Sequence, residues 1–344
     1  MENVFPLPEN AAIMATFQCT AECEECCFEC SPRLHDRASF DEIKLFIDQI
    51  SDIPSIKYLV FTGGECFINF TLLRDSIKYA SSKNLPVRCV TNSFWATSPE
   101  IAMKKISELT KAGLQEINLS TGDDHQKFVS IDNVLYATYA GLENNLTVAI
   151  SIETRKNTKF KKIDLVSHPF YIGKIQCHPR FNQLKILNAV WVSFHKENKY
   201  EYDEMRQPLD IDEGCDEVYK TIALSPTSEI LGCCGLTVLH IPQFHLGKLD
   251  NNLWETYSQQ YRDFLKIWIY VDGPRAIFDF ARDHNPNIKD VHLAHKCLYC
   301  SLIFNNFEIS NTLSNNYLEI KDSVLSRYRS KLELKNAIKL IDEE

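Results

Sequence analysis

Five of the thirteen cysteines of this 344-residue chain fall between Phe17 and Cys30, in the stretch FQCTAECEECCFEC. Cys19, Cys23 and Cys26 stand in a C-x3-C-x2-C spacing, which can wrap three thiolates around one small inorganic core. Iron–sulfur clusters are held by cysteines at short spacings of this kind, because sulfide-bridged iron is soft and prefers sulfur. A [4Fe–4S] cube needs four ligands, so three cysteines leave one iron open to chelate another molecule through nitrogen and oxygen. The competing reading is a structural zinc loop, although zinc usually takes a closed set of four ligands. Cys23–Cys26 and Cys27–Cys30 are both C-x2-C pairs; Cys19, Cys23 and Cys26 are taken as ligands and Cys27 and Cys30 as bystanders.

The rest of the composition narrows the setting. The first ten residues, MENVFPLPEN, carry acids and prolines ahead of any apolar run, unlike a secretory signal. No apolar stretch approaches the roughly eighteen residues of a membrane span. So many cysteines in such a chain point to a reducing compartment and metal binding, and a cytoplasmic location is expected. The net charge of −9 argues against a broad nucleic-acid or anionic-membrane surface.

Helix-like and strand-like segments alternate after the cysteine loop. Ser39 to Glu42 reads as a capping box, with Ile43, Phe46, Ile47 and Ile50 at helical spacing behind it. Buried strands are expected at 12–17, 58–61, 87–90, 117–120, 148–152 and 187–194, the second ended by Gly63-Gly64. Helical faces lie between them, one starting at Ser98-Pro99 and stopping at Gly113. Repeated β-α units imply parallel strands with right-handed crossovers, and six are too few for a closed eight-strand barrel. The expected fold class is α/β: a partial (β/α)6 parallel barrel over residues 1–200, a small second domain over 201–305 and a helical tail over 306–344. Chemistry in such barrels gathers at the C-terminal ends of strands. The cysteine loop, Gly63-Gly64-Glu65, Thr91-Asn92, Ser120 to His125 and Glu153 follow five consecutive strands there. Asp123 or Asp124 either caps the next helix or, with His125, stands beside bound ligands.

The cysteine loop followed one β-α unit later by Thr62-Gly63-Gly64-Glu65 resembles the radical S-adenosylmethionine (SAM) enzymes. The resemblance implies that the open iron takes the amino and carboxylate groups of SAM. It further implies that the backbone and glutamate of Gly63, Gly64 and Glu65 receive the SAM ammonium. Thr91, Asn92, Ser120, Ser151 and Glu153 are then candidates to bind its ribose or carboxylate. Reductive cleavage of SAM gives a 5′-deoxyadenosyl radical that abstracts hydrogen from a substrate, with a flavodoxin or ferredoxin as an expected electron donor.

A second cysteine group, Cys215, Cys233, Cys297 and Cys300, makes a closed set that suits a second [4Fe–4S] cluster or a structural zinc. It is similar to the auxiliary-cluster domains of the SPASM and twitch types, in the truncated one-cluster form. The full SPASM pattern has a glycine where Ser228 stands, and further cysteines after Cys300 that this chain lacks. Either Cys233 or Cys234 can be the ligand, since adjacent residues of an extended segment point opposite ways. Enzymes with such domains often modify ribosomally made peptides. VTNSFWA and INLSTGDDHQKFV look like segments of peptide epimerases, so a ribosomal precursor peptide is the expected partner. Epimerisation is preferred over thioether or carbon–carbon cross-linking, with sulfatase-maturase-like oxidation as a second enzyme reading and a non-catalytic Fe–S or zinc module as a third. With eighteen residues before Cys19, leader recognition is expected to use the barrel, the auxiliary domain or the tail. Asp123 and Cys234 are the candidate catalytic residues, Cys234 as a thiol hydrogen donor with Cys177 as the alternative. Cys66, Cys89 and Cys177 are otherwise expected to be small buried apolar residues.

Overall fold

A computed structural model describes residues 5–154, 157–190 and 211–342. Nine strands form one sheet: β1 (Asn10–Met14), β2 (Tyr58–Thr62), β3 (Val87–Thr91), β4 (Leu114–Thr121), β5 (Thr147–Thr154), β6 (Leu184–Val190), β7 (Thr221–Leu224), β8 (Glu229–Leu231) and β9 (His245–Lys248). Their order is β6-β5-β4-β3-β2-β1-β7-β8-β9. Neighbours from β6 to β7 pair in parallel, and β8 and β9 add on antiparallel. The six expected strands therefore form, with β1 earlier than expected and β6 starting earlier; the expected 191–194 lie outside the described residues. The expected division near residue 200 also falls there, and strands from both sides of it share this sheet.

Four crossover helices, α1 (Phe40–Ser51), α2 (Phe70–Ser82), α3 (Pro99–Ala112) and α4 (Ile131–Glu143), join β1 through β5. Two short helices follow, α5 (Lys162–Val166) and α6 (Glu217–Lys220). The C-terminal part is helical: α7 (Leu253–Ser258), α8 (Phe264–His284), α9 (Lys296–Asn305), α10 (Phe307–Asn316) and α11 (Leu318–Asp342). Ser39 and Glu42 cap α1 reciprocally, as their spacing predicts, and Ile43, Phe46, Ile47 and Ile50 are its buried face. Glu42 also accepts a hydrogen bond from the hydroxyl of Ser228. Ser228 sits at φ 61° in the β7–β8 turn, a conformation that ordinarily favours glycine. The helix expected from the tail packs its Val324 and Tyr328 inward, Tyr328 against Tyr270 of α8.

The sheet holds the cysteine loop by its backbone. Gly64 N–H donates to Thr16 O at 2.6 Å and Glu65 N–H to Gln18 O at 2.9 Å, so the turn after β2 lies directly on the start of the loop. A Cβ on Gly63 would lie 2.5 Å from Thr16 O; one on Gly64 would run into the Gln18 carbonyl, 2.7 Å from its carbon. Both positions need glycine for this approach, and Gly63 also has φ 118°. Gly64→Ala is expected to push the loop off the turn and cost about 1–3 kcal/mol, read as a lower midpoint in urea unfolding. A separate tie is tested by Glu42→Ala, which removes half the capping box and the bond to Ser228. It should lower unfolding free energy by about 1–2 kcal/mol with an unchanged m value.

Candidate active site

The cysteine loop folds over the C-terminal ends of the parallel strands. Cys19 and Cys30 are buried in it, while Cys23, Cys26 and Cys27 are half-buried. Cys19 N–H donates to Ser31 O at 3.1 Å and Cys26 N–H to Cys23 O at 3.2 Å, closing the loop on itself. Glu65 is fully buried and is the hub beneath it. Its carboxylate accepts from the Thr91 hydroxyl at 2.8 Å, Asn92 N–H at 2.8 Å and Phe67 N–H at 3.0 Å. Burial still pushes this carboxyl up to about 7, against those donors. The Asn92 amide then donates to the Cys19 sulfur at 3.6 Å and to Thr20 Oγ1 at 3.2 Å. Trp95 Nε1–H donates to Thr91 Oγ1 at 3.0 Å, and its ring stacks on Phe67 at 4.4 Å, which fixes the β3 end.

Beyond β4, Asp124 is fully buried and accepts Glu25 N–H of the cysteine loop at 3.3 Å and Lys127 Nζ at 2.9 Å. Glu153, buried at the end of β5, takes the Asp124 N–H on one oxygen. Its other oxygen lies 2.9 Å from His125 Nδ1. Asp123 accepts Lys159 N–H at 2.7 Å and Phe160 N–H at 2.9 Å, which makes its carboxylate an anchor for the chain after β5. Neither aspartate caps α4; that cap is Ser130, whose hydroxyl accepts Asp132 N–H. The capping expectation is corrected accordingly, because a 3-10 turn at His125–Lys127 intervenes before the helix. Ser120 and Ser151, paired across β4 and β5, are half-buried.

The thiols of the loop are not equivalent. Burial pushes Cys19 up to about 12 and raises Cys23 further. A hydrogen bond from the Cys30 thiol holds Cys26 down at about 6. Cys30 thereby has a partner in the loop. Cys27 lies where the loop meets the C-terminal part: His240 Nε2 is 3.1 Å from its carbonyl oxygen. Its thiol is raised by burial and lies in electrostatic range of Cys26, Cys234 and Cys297.

The second cysteine group surrounds a cavity of about 500 Å³, whose wall includes Cys215, Cys233, Cys234, Cys297 and Cys300. Distant segments bring them there. Cys215 N–H donates to Ile269 O at 2.9 Å, and α8 bends at Gly273 (φ 82°) to pass Glu213 and Gly214. Cys297 opens α9, its N–H donating to the capping His295 at 3.1 Å, and Thr237 Oγ1–H donates to Cys297 O at 2.9 Å. Cys233 is buried, with its thiol raised by burial and by Cys215, Cys297 and Cys300 around it. Cys234 is raised to about 11 by burial, and its charged neighbours are Glu217 and Arg88. Arg88, on β3, stacks on Tyr58 at 5.2 Å and pairs with Glu116 at 3.6 Å. Among the described residues, no three His, Cys, Asp or Glu side chains converge on one point as a mononuclear ion requires.

Cys66 and Cys89 are buried beside one another, as expected. Cys177 is a correction: it is exposed, at the end of a π-helical turn (Tyr171–Ile175) that lifts it out of the core. His240 and Arg88 have no sequence spacing that links them to the cysteines, whereas Lys296 directly precedes Cys297.

No protein-family model matches the chain. It is 23% identical over 314 residues to the "Putative peptide biosynthesis protein YydG" of Bacillus subtilis (strain 168), covering 88% of this chain and 94% of that protein. Among solved structures it is similar to Streptococcus suis SuiB bound to precursor peptide SuiA, at 15% identity and a TM-score of 0.42, over 74% of this chain and 66% of that one. It is also similar to anSMEcpe with bound AdoMet and Cp18Cys peptide, at 12% identity and a TM-score of 0.45, over 93% and 99% of the two chains. No helix among the described residues is long and apolar enough to cross a membrane. The structure brings together the three-cysteine loop, the Gly63-Gly64-Glu65 turn that clamps it and the polar strand ends around them, the residues on which the resemblance to radical SAM enzymes rests.

Proposed function

We propose that the chain inverts an α-carbon in a ribosomally made precursor peptide, turning an L residue into a D residue. The peptide substrate is supported by the likeness, over most of both chains, to a protein described as a putative peptide biosynthesis protein. In this reading residues 1–200 bind SAM, 201–305 carry an auxiliary cluster and 306–344 form a helical tail. The donor set of the first site fits a [4Fe–4S] cluster: Cys19, Cys23 and Cys26 offer three thiols on one loop, one of them held low in pKa. When bound there, cluster and SAM supply the 5′-deoxyadenosyl radical that removes the α-hydrogen. Gly63, Gly64 and Glu65 with Thr91, Asn92, Ser120, Ser151 and Glu153 orient SAM at the strand ends, and Asn92 also steadies Cys19 through its amide. Cys215, Cys233, Cys297 and Cys300 fit a second [4Fe–4S] cluster, four thiols around one cavity.

The observation that carries the epimerase reading is the split between Cys233 and Cys234. Cys233 sits among Cys215, Cys297 and Cys300, whereas the charged neighbours of Cys234 are Arg88 and Glu217. With Cys233 as ligand, Cys234 keeps its S–H. Removal of the α-hydrogen leaves a near-planar carbon radical, and the Cys234 S–H bond breaks to deliver a hydrogen atom to its opposite face. The remaining thiyl takes one electron and one proton, the electron from a flavodoxin or ferredoxin.

Replacing Cys19, Cys23 and Cys26 together by alanine should remove about four irons per chain and abolish 5′-deoxyadenosine formation, while about four irons stay at the second site. Continued 5′-deoxyadenosine formation by that variant would sink the radical reading. With the short peptide encoded in a neighbouring reading frame as substrate, turnover in D2O should place one deuterium on the inverted α-carbon. Cys234→Ala should still cleave SAM and give little D-residue product. Full inversion by Cys234→Ala, at unchanged iron content, would rule out this thiol as the donor.

A further inference from the structure

Lys266 lies in the first turn of α8 and is only 2% exposed. Lysines this deep are ordinarily paired with an acid, because an isolated buried ammonium is costly. Among the described residues, Lys266 has no ion-pair partner. Its ammonium rests over the ring of Phe244, 4.9 Å from the centroid. Asp263 is the acid in electrostatic range, but its Oδ1 is turned to the helix start, accepting Leu265 N–H at 2.9 Å and Lys266 N–H at 3.3 Å. Phe244 is part of the wall of the auxiliary cavity, together with Cys215, Cys233, Cys297 and Cys300. Cys233 and Cys300 lie in electrostatic range of the ammonium, which burial holds below the ordinary lysine pKa.

A cation held this way lacks a negative partner that the auxiliary site itself would bring. Four thiolates around a 2+ core carry a net charge of about −2, and reduction adds one more negative charge. A fixed positive charge in a low-dielectric wall favours the more negative state. Lys296, the other cation beside these cysteines, is half-buried and directs its ammonium to Gly214 O at 3.5 Å.

We propose that Lys266 is the buried counter-charge of the auxiliary cluster and raises its reduction potential. The proposal rests on the second-cluster reading above. It implies that this lysine helps decide whether the reductant that drives SAM cleavage also loads the second site.

The test uses the full chain with Cys19, Cys23 and Cys26 replaced by alanine, so that after anaerobic reconstitution only the second site holds iron. Potentiometric titration followed by electron paramagnetic resonance then reads its midpoint. Lys266→Met should keep the iron and shift the one-electron reduction equilibrium about tenfold against reduction, which is about 59 mV downward. Lys266→Arg, which keeps the charge, should return the midpoint to the parent value. If the methionine variant loses its iron and the arginine variant does not, the counter-charge is likewise supported. An unchanged midpoint in Lys266→Met at full iron content overturns it, and so does an equal shift in both variants. A parent protein that holds zinc and no iron overturns the second-cluster reading first, and the counter-charge with it.

Discussion

Two backbone hydrogen bonds, from Gly64 and Glu65 to Thr16 and Gln18, join the cysteine loop to the parallel sheet. Everything at the first site follows from that clamp. It sets the loop over β2, where the Glu65 carboxylate reaches sideways to Thr91 and Asn92 on β3. Asn92 then reaches back up to the Cys19 sulfur. The circuit runs loop, β2, β3, loop, and each member has its polar groups used by the next. Such networks are rigid when complete and expensive when broken, since every buried polar atom left over keeps its desolvation cost. A second brace stands on the far side, where Asp124 holds Glu25 N–H and Glu153 holds Asp124.

The auxiliary site is built on a different principle. The three loop cysteines span eight residues, so short spacing gathers them. Cys215, Cys233, Cys297 and Cys300 span 86 residues, and tertiary structure alone gathers them. The bend of α8 at Gly273, the His295 cap of α9 and the tie from Thr237 to Cys297 are the devices that do so. Contact between the sites passes through Cys27 and His240, residues from the two halves.

Much of this was legible because its signals are local. The strands of the first half are five to eight residues long and each carries Leu, Ile or Val, and Ser39, Ser98 and Gly113 mark helix ends by their own chemistry. The second half hid its architecture. Strands β7 to β9 are three or four residues long, too short for an alternating pattern to declare itself. Gly273-Pro274 interrupts the longest buried helix, so its apolar face changes phase midway. The two aspartates after β4 looked like helix caps because that residue type at a strand-to-helix junction usually is one. The 3-10 turn moved the junction on to Ser130. Lys266 could not be read at all: a lysine near a helix start looks solvated until the ring of Phe244 and the cavity wall are placed around it.

Strand β1 is paired on both sides, with β2 and with β7, and all five of its residues are buried. The two cysteine regions are therefore not modules that could be exchanged between proteins at a linker. Removing everything from β7 onward would leave β1 as a raw sheet margin of unpaired amides, an invitation to intermolecular pairing. Among the described residues the margins of the sheet are β6 and β9, so the strand that joins the two cysteine regions lies in its interior.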